Sequence, residues 1–133
     1  MYVEFEDELL TGNHMIDEQH KALIGKIDKL VACCAEGGGK VEAIKMLDYL
    51  SDYTDFHFGE EEKLQEEVSY PAIEGHKAKH AEFKKSVEEL HEMLVEEEGP
   101  TDAFVAAVQK NVVDWLFDHI KNMDQALAAY VQK

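Results

Sequence analysis

Five histidines of this chain fall where helices bury their apolar side: His20, His57, His76, His80 and His119. His57 and Glu61 stand four residues apart, as do His76 and His80. On a helix that spacing turns both side chains to one face, where they can chelate one centre. A carboxylate such as Glu61 in a core position carries a desolvation cost that only a proton donor, a cation or a metal ion offsets. One core imidazole can find a neutral partner, but five that converge from four segments cannot all do so in one small core. The chemistry they offer is metal binding. Five imidazoles and a carboxylate exceed the four ligands of a tetrahedral zinc site and suit two five- or six-coordinate ions of the iron or manganese kind, with the carboxylate as a bridge. Cys33 and Cys34 are adjacent and at no ligand spacing, so neither a thiolate cluster nor a structural disulfide is expected.

The elements that must position these groups are legible in the apolar spacing. Residues 1–15 read as an irregular arm, with turn signals at Thr11-Gly12-Asn13 and with Phe5, Leu9 and Leu10 as anchors. From about Asp17 a 3-4 alternation runs through Ile16, His20, Leu23, Ile24, Ile27 and Leu30, until Gly37-Gly38-Gly39 stops it. A second helix runs from about Val41 to about Glu66 through Leu47, Leu50, Thr54, His57, Glu61 and Leu64. After a break at Ser69-Tyr70-Pro71, where Pro71 suits a first helical turn, the third carries Ile73, His76, His80, Phe83, Val87, Leu90 and Leu94. Thr101-Asp102 caps the fourth, whose seam is Val105, Val108, Val112, Trp115, Leu116, His119, Met123 and Leu127. No period-two run signals a strand. The expected fold is all-α, an antiparallel up-down-up-down four-helix bundle with an N-terminal arm: one domain over 1–133, with the arm at 1–15 and the bundle at 16–131.

Composition narrows the partners. In 133 residues there are 13 Lys plus Arg against 29 Asp plus Glu, a formal charge of −16. Such a surface has no basic stripe for phosphates, which excludes nucleic acid and anionic membranes as partners. No apolar run is long enough to span a bilayer, and the acidic start lacks the features of a secretory signal, so a cytoplasmic location is expected. His14 and His91 lie off the seams and read as surface residues. The charged outer faces leave the oligomeric state open.

The motifs Ile16-Asp17-Glu18-Gln19-His20, His57-Phe58-x-x-Glu61, His76-x-x-x-His80-x-x-Phe83 and Trp115-Leu116-x-x-His119-Ile120-x-x-x-Asp124 follow one another, one per helix. With them the chain resembles the hemerythrins, specifically the single-domain bacterial ones. The resemblance implies two iron ions cycling between ferrous and ferric, joined by an oxo or hydroxo bridge. It assigns His76, His80 and His119 to one iron and His20 and His57 to the other, with Glu61 and Asp124 bridging. The second iron then has an open position, which in this family binds O2. Leu23, Phe58, Trp115, Leu116 and Ile120 stand one residue or one turn away and are expected to line a dry pocket there. His119 and Asp124 are five residues apart, about 140° around a regular helix, and the seam selects Met123. A local widening such as a π turn is therefore expected between them.

The functional expectation is a non-haem di-iron protein that binds O2 reversibly, for storage, delivery, scavenging or sensing, and not an enzyme. The alternative is a di-iron redox enzyme that detoxifies O2, peroxide or nitric oxide. A peroxidase or reductase side activity stays open, with a reductase as a further candidate partner.

Overall fold

A computed structural model of the chain describes residues 2–132. Asn13 begins the first helix, α1 (His14–Ala35), by accepting the Ile16 N–H at 3.0 Å. The helix thus starts three residues before the expected Asp17, and the arm is correspondingly shorter than residues 1–15. Asp17 lies in the first turn, where its carboxylate accepts the Thr11 N–H, the Thr11 hydroxyl and the Gly12 N–H at 2.8, 2.8 and 3.2 Å. That network ties the arm to α1. A short 3-10 turn at Asp7–Leu9 buries Leu9 completely. At the other end Gly37 takes φ +80°, and Gly38 N–H returns to the Cys33 carbonyl at 2.7 Å. This is the left-handed helix stop that glycine makes cheap.

α2 (Lys40–Glu67) and α3 (Ile73–Glu96) follow, and their buried stripes are the expected ones with small changes. At the end of α2, Gln65 is buried where Leu64 was expected, and Leu64 is only half-buried. Pro71 lies in the turn before α3 and not in its first turn, because Ser69 at φ +52° and Tyr70 N–H bonded to the Gln65 carbonyl complete the reversal first.

The fourth helix, α4, runs over residues 102–131. Its cap is Thr101, which accepts the Phe104 N–H at 3.1 Å. Two π turns interrupt it, Gln109–Asp114 and Ile120–Asp124, each entered and left with helical backbone angles. Each adds a residue to a turn and so shifts the buried face. The seam read from the sequence is corrected at both ends. Phe104 is buried in place of Val105, which is 42% exposed, and Asp124 is buried in place of Met123. The widening expected between His119 and Asp124 is present.

Consecutive helices pack side by side and α4 returns against α1. The result is the all-α antiparallel bundle expected, with no strand among the described residues. The half holding the end of α1 and the start of α2 is filled by Leu30, Leu47, Leu90, Leu94, Phe104 and Val108, all buried. Each such side chain contributes about 1.5–3 kcal/mol of burial free energy. The polar groups collect in the other half: the start of α1, the end of α2, the start of α3 and the end of α4.

Candidate metal centre

Every histidine expected on a seam is in the core. His20, His57 and His76 are fully buried, His80 and His119 nearly so, with Glu61 and Asp124 among them. His14 is exposed and His91 half-exposed, outside this group. α2 delivers His57 and Glu61 by regular helical spacing and α3 delivers His76 and His80 in the same way. α4 delivers Asp124 beside His119 only because of the π turn between them.

The two carboxylates divide the imidazoles into two sets. Glu61 Oε1 lies 2.9 Å from His76 Nε2 and 3.2 Å from His80 Nε2, while its Oε2 lies 3.4 Å from His57 Nε2 and 3.9 Å from His20 Nε2. Asp124 repeats the division. Its Oδ1 is 2.8 Å from His76 Nε2 and 3.2 Å from His119 Nε2, and its Oδ2 is 2.9 Å from His20 Nε2. One set therefore offers three nitrogens and two oxygens, the other two nitrogens and two oxygens. Within each set the ligand atoms all lie within 4.8 Å of one another.

Hydrogen bonding among these groups is incomplete. All four atoms of the smaller set, His20 Nε2, His57 Nε2, Glu61 Oε2 and Asp124 Oδ2, are buried without a well-aligned hydrogen bond, even where His20 Nε2 and Asp124 Oδ2 come within 2.9 Å. Native proteins rarely leave such atoms unpaired unless an ion or water completes them. Nε2 of His76 and His119 also face each other at 3.1 Å. Two lone pairs cannot share that space unless a proton or cation intervenes. The donor set, imidazole with carboxylate and no thiolate, fits a pair of transition-metal ions.

Charge is finely opposed here. Burial penalises the anions of Glu61 and Asp124, yet the surrounding imidazoles outweigh it and hold both carboxyls below their usual range, Asp124 well below. Burial likewise works against charge on His76, but hydrogen bonds to Asp124 and Glu61 raise it to about 9. His57 is governed by burial and falls to about 4.

Residues behind the imidazoles were not legible from spacing. His57 Nδ1–H donates to Gln19 Oε1 and His80 Nδ1–H to Glu62 Oε2, each at 2.8 Å. These bonds cross between helices, and only the tertiary arrangement brings their partners together. The aromatic residues take specific faces. Phe58 stacks on His80 with centroids 3.8 Å apart and planes 1° from parallel, and Trp115 stacks on His119 at 4.6 Å and 13°. Both thus lie against the three-histidine set and not mainly beside the two-histidine set, and Trp115 is only half-buried. Leu23, Leu116 and Ile120 are completely buried in the main apolar cluster.

The sequence profile described as the hemerythrin HHE cation binding domain matches residues 11–131. A bacteriohemerythrin of Stenotrophomonas maltophilia is 33% identical over 96% of this chain and 80% of its own length. One from Pseudomonas aeruginosa is 34% identical over 98% and 80%. A crystal structure of a hemerythrin with a leucine-to-tyrosine substitution superposes with a TM-score of 0.86 over 100% of both chains, at 26% identity.

Proposed function

The chain belongs to the hemerythrin family, and from that membership we propose that it is a non-haem di-iron protein that binds O2 reversibly, for storage, delivery, scavenging or sensing. The observation that supports this most is the division of each carboxylate's two oxygens between two nitrogen sets, three histidines on one side and two on the other. His76, His80 and His119 would hold one iron, His20 and His57 the second, with Glu61 and Asp124 reaching both and an oxo or hydroxo group completing the bridge. The smaller set offers one histidine fewer, so an ion held there would keep a position for O2.

A pair of ferrous ions held there would supply the two electrons on which reversible O2 binding draws. The protein's part is to hold and to shield. Gln19 and Glu62 accept the Nδ1 protons of His57 and His80, which fixes the tautomer that points the Nε2 lone pair inward. Glu61 and Asp124 supply two negative charges against the cations. Leu23, Leu116 and Ile120, all completely buried, would help to keep the centre dry, since water would favour irreversible oxidation. We read 1–133 as one hemerythrin-like domain. No helix among the described residues is long and apolar enough to cross a membrane, and the unpaired thiols of Cys33 and Cys34 suit a reducing cytoplasm.

The test is anaerobic. The iron-loaded, reduced protein is exposed to O2 and then evacuated, with visible spectra at each stage. Charge-transfer bands that appear with O2 and vanish on its removal are the expected result. Immediate irreversible oxidation, together with steady consumption of O2, peroxide or nitric oxide when a reductase and NADH are supplied, would make the protein a redox enzyme instead.

A further inference from the structure

Among the groups of the centre His119 is the least covered. It is 5% exposed, against 1% or less for His20, His57, His76, His80, Glu61 and Asp124. It lines a surface groove of about 230 Å³ together with Lys79, Glu82, Trp115, Asp118 and Met123. His57 and His80 are tied from behind by Gln19 and Glu62, whereas Nδ1 of His20, His76 and His119 is buried with no partner, and of these three only His119 reaches the surface groove. What covers the ring is the Trp115 indole. The indole packs on Phe83, with centroids 4.8 Å apart, and its single hydrogen bond runs from Nε1–H to Glu82 Oε1 at 3.0 Å.

We propose that this groove is the route by which metal ions reach the centre, with Asp118 gathering the cation at the mouth, His119 taking it first, and the Trp115–Glu82 hydrogen bond acting as the latch. The inference rests on the metal-binding reading above. A buried centre with four helices around it needs one ligand that can swing outward. An imidazole with an untied Nδ1 turns about its Cα–Cβ bond without breaking a hydrogen bond behind it, which His57 and His80 cannot do. Lys79 Nζ stands 3.6 Å from Glu82 Oε2 and offsets part of that charge. The exposed Asp118 is left as the freer anion at the mouth.

The experiment mixes metal-free, full-length protein with Co2+ in a stopped-flow instrument and follows the visible d–d absorption, which reports ligation without any O2 chemistry. Trp115→Phe keeps an aromatic ring and removes the N–H of the latch. Asp118→Asn removes charge at the mouth, and Glu88→Gln removes an exposed acid elsewhere on α3 as a control. Loss of one exposed hydrogen bond is expected to speed loading about two- to tenfold in Trp115→Phe. Asp118→Asn should load about twofold slower or more at low salt, with the difference gone at about 0.5 M salt. Glu88→Gln should match the parent. Leu94→Ala, in the apolar half of the bundle, lowers global stability without touching the groove and should not speed loading. The route is wrong if Trp115→Phe and Asp118→Asn load at the parent rate, or if Leu94→Ala speeds loading as much as Trp115→Phe. Failure of the parent itself to bind Co2+ would overturn the metal-binding reading instead.

Discussion

Glu61 and Asp124 each face both nitrogen sets, so neither can be lost without affecting both ions. Glu61→Gln or Asp124→Asn is expected to lower bound iron from two per chain to below one, with helix content kept, as measured by metal analysis and circular dichroism. A variant that still holds two irons would show that the carboxylate in question does not bridge. In the metal-free protein the same residues set the pH dependence of stability. His76, raised to about 9, contributes stability that is full below its unfolded value of about 6.5 and is lost as pH rises towards 9. His57, depressed to about 4, contributes above about 6.5 and loses it as pH falls towards 4. Urea midpoints of the metal-free protein should therefore peak near pH 6.5 and fall on both sides. A midpoint still climbing between pH 7 and 9 contradicts the sign for His76. Residue types and spacing made the five histidines and Glu61 legible in the sequence, because a polar group on an apolar stripe stands out. Gln19 and Glu62 were not legible, because each reaches its histidine from another helix and interrupts no pattern of its own.

At the scale of the element, three helices follow a 3.6-residue period closely enough for their buried faces to be read directly. α4 does not: Met123 lies inside the π turn Ile120–Asp124, whereas Val105 precedes the turn at Gln109–Asp114 and is displaced from the core by its neighbour Phe104. The turn at Ile120–Asp124 was foreseeable only because Asp124 had to meet His119. The turn at Gln109–Asp114 has no such polar marker and was missed. An insertion and a deletion separate what the two spacings do. Removing the exposed Asn122 closes the π turn to an α turn and leaves the aspartate four residues from His119, still on its face, so two bound metals are expected to remain. Inserting Ala between Phe58 and Gly59 swings Glu61 about 100° away from His57 and should abolish binding of the pair. Metal analysis of the two variants decides. Equal loss in both would mean that the π turn is needed for more than register.

The whole molecule is divided between an apolar half that folds by burial and a polar half that a pair of metal ions would complete. Metal removal is therefore expected to leave helix content largely intact while lowering stability. Saturation at a thousand times the dissociation constant contributes about 4 kcal/mol, which in a chain of this size corresponds to a melting shift of more than about 10 °C. Calorimetry with and without a chelator measures it, and a shift under a few degrees would place the folding free energy elsewhere. The most direct test of the central claim is a crystal of the iron-loaded protein measured at the iron absorption edge. Two anomalous peaks are predicted, one against Nε2 of His76, His80 and His119 and the other against Nε2 of His20 and His57, each touching one oxygen of Glu61 and one of Asp124. A single peak, or two peaks that do not share both carboxylates, would contradict the account.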